Sequence, residues 1–216
     1  MNIILFGPPG VGKGTQADNM VKNFNLYKIS TGDLLRNEIK KNTNLSRKIK
    51  SKINQGLLVS DKIINDLIVK ILSKKKYFNR LIFDGYPRNL NQAKSLDLLV
   101  KKYNQKISCV LNLNIDKESI IKRILGRLVC AKCGLTFNKY FNPPQKKKYV
   151  CNLKYLKTRL DDNKITIKNR LGVYTKKTLP ILDYYADQGI LYKIDGRRKI
   201  NQVCREICDI IGSLGT

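Results

Sequence analysis

The sequence predicts an α/β protein: a parallel five-stranded sheet with helices on both faces, interrupted by a small β-rich insertion. Three observations carry this reading. Short apolar runs alternate with longer stretches of helical periodicity, the pattern of repeated strand–helix–strand units. A glycine-rich segment follows the first apolar run and leads straight into a helix. Residues 126–162 break the alternation with Cys130, Cys133, Pro143, Pro144 and Cys151.

The apolar runs at 2–6, 27–30, 80–83, 107–113 and 191–194 read as the strands. Helical patterns fill about 13–24, 31–41, 45–55, 60–75, 89–103, 116–125, 163–188 and 199–212. Asp61, following Ser60, and Asp116 stand where helix N-caps are expected. In such a sheet, ligands bind beyond the carboxyl ends of the strands. Three polar segments fall there: Gly7 to Thr15, Ser30-Thr31-Gly32-Asp33, and Asp84-Gly85-Tyr86-Pro87-Arg88. The sequence therefore directs three separate motifs to one edge.

A chain of 216 residues with 42% hydrophobic content can bury a large core. No apolar run approaches the roughly 20 residues of a membrane span. The first one ends in the glycine-rich loop, so no leader and a cytoplasmic location are expected. The net charge of +27 raises nucleic-acid binding as a function. However, the lysine runs, such as Lys40-Lys41, Lys74 to Lys76, Lys101-Lys102, Lys146 to Lys148 and Lys176-Lys177, are spread along the chain, without interleaved aromatic residues to stack bases. With the many Asn and Ile residues, they point to an AT-rich coding genome rather than a specific nucleic-acid partner. Cys109, Cys204 and Cys208 read as core packing, and no disulfides are expected.

Gly7-Pro-Pro-Gly-Val-Gly-Lys-Gly-Thr15 carries the most chemistry. Glycines allow a tight turn that aims consecutive N–H groups into one concavity, and the following helix adds its positive end. Lys13 is a mobile charge able to follow a phosphate in transfer. The usual phosphate-loop pattern has Ser or Thr directly after the Lys; here Gly14 intervenes and the hydroxyl belongs to Thr15. Asp84, ending a strand beside this loop, can hold Mg²⁺ through water. Arg36, Arg88, Arg123, Arg127, Arg159 and Arg170 offer planar forks for phosphate oxygens. The chain has no histidine, which excludes a histidine base or a phosphohistidine intermediate.

Taken together, Gly7 to Thr15, Ser30-Thr-Gly-Asp-Leu-Leu-Arg36, Asp84 to Arg88 with Gln92, Arg123, Gly126-Arg127, Arg159-Leu-Asp-Asp162, Arg170 and Asp195-Gly196 resemble the adenylate kinases of the long-lid bacterial type. The resemblance covers essentially the whole chain, and the Gly14-Thr15 arrangement is itself the pattern of nucleoside monophosphate kinases. It implies reversible, Mg²⁺-dependent transfer from ATP to AMP giving two ADP, by direct in-line transfer under a closing lid. It implies an ATP site of Gly10, Val11, Gly12, Lys13, Gly14, Thr15, Arg127, Thr136, Phe137 and Arg198. The implied AMP site comprises Thr31, Arg36, Leu57, Leu58, Val59, Gly85, Tyr86, Pro87, Arg88 and Gln92, with Arg159 and Arg170 clamping the phosphates. Lys13, Asp84, Arg88, Arg123, Arg159 and Arg170 are the implied catalytic set. The implied division is a core of 1–29, 60–125 and 163–216, an AMP-binding unit of 30–59 and a lid of 126–162. A cytoplasmic monomer with no specific nucleic-acid or membrane partner is expected.

Gln92 offers a donor and an acceptor to an adenine edge. A kinase acting on UMP, CMP or GMP is the neighbouring alternative, and a basic nucleic-acid-binding protein with a zinc knuckle the more distant one. The latter leaves the phosphate loop, Asp84 and the arginines without a role. Cys130-Ala-Lys-Cys133 is half of a zinc site. Cys151 is a third donor, and Lys154 stands where the resembling family places a fourth. Asp161 and Asp162 are expected to pair with arginines. Two readings stay open: three thiolates holding Zn²⁺ with an unknown fourth ligand, or a lid held by packing of Phe137, Tyr140, Phe141 and Val150.

Overall fold

A computed structural model of the chain describes residues 1–145 and 151–214. Its first sheet contains β1 (Asn2–Phe6), β2 (Tyr27–Ser30), β3 (Leu81–Asp84), β4 (Ile107–Asn114) and a later strand, Leu191–Asp195. All pairings are parallel, in the order β2-β3-β1-β4 and then Leu191–Asp195 at the far edge. The central strands are apolar on both faces because both faces are covered. Ile3, Leu5, Leu111 and Leu113 enter one buried cluster, and Ile4, Phe6, Phe83 and Val110 enter the other.

The helices between them are α1 (Lys13–Phe24), α2 (Thr31–Ile39), α3 (Asn44–Asn54), α4 (Asp61–Leu72), α5 (Leu90–Lys102) and α6 (Lys117–Leu125). A second, antiparallel sheet follows, of β5 (Arg127–Cys130), β6 (Thr136–Asn138) and β7 (Leu156–Lys157), with β5 in the middle. This is the expected β-rich insertion. The chain then returns through α7 (Lys164–Val173), α8 (Pro180–Ala186), β8 (Leu191–Asp195) and α9 (Ile200–Ser213).

The one long helix expected over 163–188 is divided. A wide turn at Tyr174–Thr178 separates α7 from α8, because Pro180 has no N–H to donate and starts a new helix instead. Asp116 caps α6, accepting from the Ser119 N–H at 2.7 Å. Ser60 makes no side-chain cap at α4, and the Asp61 carboxylate is used elsewhere, as described below. Cys109 is buried in the sheet, whereas Cys204 and Cys208 are only half-buried. Their sulfurs lie on α9 facing α1, 3.9 and 3.5 Å from the donating Nδ2 of Asn23, so core packing holds for Cys109 alone. Among the described residues no disulfide forms and no helix is long and apolar enough to cross a membrane. Val150 and Lys146 to Lys148 lie outside the described residues.

Candidate active site

The site forms where the carboxyl ends of β1, β2 and β3 meet the second sheet and α7. One cleft of about 580 Å³ is lined by the glycine-rich loop, the start of α2, the segment after β3, and arginines from several elements and loops. The loop is shaped by its glycines. Gly10 has φ +83°, and a Cβ there would sit 2.5 Å from Ile124 Cγ1, so both backbone and neighbour require glycine. Gly12 precedes α1 with φ +113° and offers no side-chain cap. The first helical bond runs from Gln16 N to Gly12 O at 3.1 Å. The N–H groups ahead of it, of Lys13, Gly14 and Thr15, belong to the positive end of the helix.

Lys13 folds back over its own loop and donates to the carbonyls of Gly7 (2.7 Å) and Pro8 (2.9 Å). Burial lowers its ammonium from the ordinary 10.5 to about 8. Asp84 opposes that shift, while Arg88 and Arg127 reinforce it. Burial pushes the Asp84 carboxyl up, against the pull of Lys13 and Lys28. A half-buried carboxylate, with the Thr15 hydroxyl on the same cleft wall, is the hard oxygen donor set that suits Mg²⁺. That ion keeps several waters and takes phosphate oxygens rather than a full protein cage.

The arginines crowd one another. Burial, followed by the neighbouring Arg170, lowers Arg88 to about 10; burial with Arg127 and Arg36 does the same to Arg159. Such a cluster is stabilised by arriving anions. Arg88 donates from Nε to Gly85 O at 2.7 Å, and Thr31 donates to the same carbonyl at 2.8 Å, tying α2 to the segment after β3. Arg123 reaches from α6 to Val11 O (2.9 Å) and Gly196 O (3.0 Å), bracing the loop against the end of β8. Arg127 pairs with Asp162 and Arg170 with Asp161, so the two aspartates are held by arginines, as the sequence indicated. Arg36 pairs with Asp33 one turn back on α2.

Every residue implied for the two nucleotide sites lines this cleft. That includes Leu57, Leu58 and Val59 after α3, Thr136 and Phe137 on β6, and Arg198 after β8. Gln92 is buried, and both ends of its amide are engaged: Oε1 accepts from Arg88 N at 2.8 Å and Nε2 donates to Asp61 at 2.7 Å. Asp61 also accepts from Asn89 Nδ2 at 3.0 Å. Sequence reading missed this role of Asp61, because it arises only when α4 and α5 pack together. Tyr174 and Thr178, at the wide turn after α7, also line the cleft without a motif to mark them.

These features agree with known proteins. The adenylate kinase family model matches residues 5–190. The chain belongs to the adenylate kinase family. It is 44% identical to the adenylate kinase of Pelagibacter ubique (strain HTCC1062) over 98% of this chain and 99% of that protein. It is 44% identical to that of Methanosarcina barkeri, over 96% of each. The Clostridioides difficile adenylate kinase is 41% identical over 99% of each.

The second sheet carries a separate cluster. The donor atoms of Cys130, Cys133 and Cys151 all lie within 4.8 Å of one another. The Cys133 N–H donates to Cys130 Sγ at 3.4 Å. Sulfurs on a tetrahedral zinc ion sit about 3.8 Å apart, so three thiols gathered this closely fit Zn²⁺. Lys154 turns its ammonium to the ring of Tyr155, 5.4 Å from its centre. Among the described residues, no His, Asp, Glu or further Cys completes the set.

Proposed function

We propose that this adenylate kinase family member transfers the terminal phosphoryl group of ATP to AMP, giving two ADP, and so balances the adenine nucleotide pool. The observation that carries this is the convergence of Lys13 with Arg36, Arg88, Arg123, Arg159 and Arg170 on one cleft beside the loop. Phosphoryl transfer asks little covalent chemistry of a protein. It needs two phosphates held in line, their charge neutralised, and water excluded.

In this reading Gly10, Val11, Gly12, Lys13, Gly14 and Thr15 hold the ATP phosphates, and Lys13 exchanges the carbonyls of Gly7 and Pro8 for phosphate oxygens. Arg127, Thr136, Phe137 and Arg198 complete the ATP side. Thr31, Arg36, Leu57 to Val59, Gly85 to Arg88 and Gln92 form the AMP side. Arg88, Arg123, Arg159 and Arg170 steady the charge that spreads over the transferring group. Bound Mg²⁺, near Asp84 and Thr15, supplies further neutralisation of the phosphates. Residues 30–59 and 126–162 act as closing units over a core of 1–29, 60–125 and 163–216. Closure keeps water from intercepting the phosphoryl group. Cys130, Cys133 and Cys151 would hold Zn²⁺, which would brace the lid. The protein works as a cytoplasmic monomer.

A coupled assay with ATP, Mg²⁺ and each of AMP, GMP, CMP and UMP tests the reading. Strong preference for AMP with ADP as product is expected. Preference for another monophosphate overturns the role of Gln92 in base choice.

A further inference from the structure

The lysines that look dispersed in sequence are not dispersed in space. The edge of the first sheet opposite the cleft is formed by the starts of β1 to β4 and the loops entering them. Two of these loops, Ser73 to Arg80 and Lys101 to Lys106, are sewn together. Asn79 N donates to Gln105 Oε1 at 3.0 Å, and Asn2 Nδ2 donates to Gln105 Oε1 and to Lys106 O, both at 3.1 Å. Asn2 and Gln105 are buried, so this junction is part of the folded frame. It brings exposed Lys74, Lys75 and Lys76 beside exposed Lys101, Lys102 and Lys106. Neither loop contains an aspartate or glutamate.

Aromatic rings stand in the same place. Tyr27 is 41% exposed and Phe78 48% exposed. Tyr27 N donates to Arg80 O at 2.6 Å, joining the start of β2 to the lysine loop. The Tyr27 and Tyr77 rings stack with centroids 4.0 Å apart, and the Lys76 ammonium lies 4.7 Å from the Tyr77 ring centre. Contrary to the reading of the lysine runs as free of aromatics, Lys74 to Lys76 lead directly into Tyr77 and Phe78, and Lys101-Lys102 into Tyr103, and the fold adds Tyr27 to them. From β2 to β4 is three strand spacings, about 14 Å. That length matches roughly four stacked nucleotides at about 3.4 Å each.

We propose that this edge is a binding surface for single-stranded nucleic acid, separate from the nucleotide cleft. Lysines of the two loops contact the phosphates, and Tyr27 and Phe78 offer faces on which bases stack without reading their sequence. A plain anionic surface would use the lysines alone; the exposed rings favour a strand with unpaired bases.

Fluorescence anisotropy with a labelled oligouridylate, in saturating ADP to occupy the cleft, tests this. Binding is expected to weaken steeply with salt, by about 0.7 log units of affinity per tenfold salt for each phosphate contacted. Reversing charge at Lys74, Lys75 and Lys76 (each →Glu) should reduce that slope by about 2. The same change at exposed Lys48, Lys50 and Lys52 should matter far less. Tyr27→Ala with Phe78→Ala should weaken oligouridylate binding on the order of tenfold, while leaving binding of inorganic polyphosphate unchanged. Phosphotransfer activity of each edge variant should be retained, which establishes folding. Equal losses from the two triple variants would reduce the effect to net charge and overturn the proposal. So would loss of oligonucleotide binding on ADP addition, or anionic phosphatidylglycerol vesicles binding more tightly than the oligonucleotide.

Discussion

Arg127 is held by Asp162, a residue thirty-five positions further along the chain, with its Nε donating to Asp162 Oδ2 at 2.8 Å. The pair closes the two ends of the insertion onto each other, since Arg127 opens β5 and Asp162 shortly precedes α7. The Asp162 side chain is only 2% exposed. Removing one partner of a buried pair leaves a charge without compensation and costs about 3–5 kcal/mol. Asp162→Asn should therefore destabilise the ligand-free protein on that scale. With ADP bound, phosphate gives Arg127 a replacement partner, so the deficit should shrink. Thermal unfolding with and without ADP checks both halves; an equal deficit in the two would show that Arg127 does not turn to phosphate.

Asp61 is a positioning residue rather than a cap. It accepts from Gln92 at 2.7 Å and from Asn89 at 3.0 Å, and so fixes the amide that faces the cleft beside Arg88. Asp61→Leu removes the oxygen that accepts from both Gln92 and Asn89 and leaves the Gln92 orientation undetermined. The KM for AMP should rise about tenfold, with the KM for ATP unchanged. Steady-state kinetics with each substrate varied in turn separates this from general destabilisation, which would move both.

Lys13 gives a pH dependence of definite sign. Burial puts its folded value near 8, below the ordinary 10.5. The unfolded chain therefore binds more protons between those values, and folding stability rises with pH across that window. The cost of burying the charge is present in full below about pH 8. Lys13→Met should stabilise the ligand-free protein near pH 7 by up to about 3 kcal/mol, and the gain should fade toward pH 10.5. Urea unfolding near pH 7 and pH 10 reads the difference. Turnover of the variant should drop about a thousandfold, and wild-type kcat/KM for ATP should fall above about pH 8. A flat profile to pH 10 would remove the charged ammonium from the mechanism.

How much of this was legible in the sequence depended on how local each feature is. The central strands were readable because a strand buried on both faces is a continuous apolar run, as in Ile3 to Phe6 and Cys109 to Leu111. The loop, Asp84 and the arginines were readable because phosphate chemistry restricts residue types at fixed spacings. The Asp61–Gln92 bond joins helices thirty-one residues apart, and no local pattern marks it. Cys204 and Cys208 shared a helix face as expected, but the sequence did not show that this face meets Asn23 of α1 rather than the core. The basic edge was hidden for the same reason. Its lysines lie in two loops that only the buried Asn2 and Gln105 bring together.

Cys151 decides whether the thiol cluster is a metal site. Cys130 and Cys133 sit on one knuckle and are brought together by local turn geometry, with the Cys133 N–H on Cys130 Sγ at 3.4 Å. Cys151 lies across the insertion, yet its sulfur falls within 4.8 Å of both. Zinc bound there would link the two sides of the second sheet, so its binding energy would add to the stability of the folded insertion. Protein purified with zinc present should carry about one ion per chain. Cys151→Ser should release that ion and lower the unfolding temperature by several degrees, whereas the same change at Cys109, buried far from the cluster, should leave the zinc content intact. Metal content by atomic emission and thermal unfolding before and after chelation read the two effects separately. If wild-type protein carries no zinc and chelator leaves its unfolding unchanged, the cluster is a packed trio of thiols. The insertion then depends on contacts such as Tyr140 against Phe141, whose rings meet edge to face at 6.5 Å.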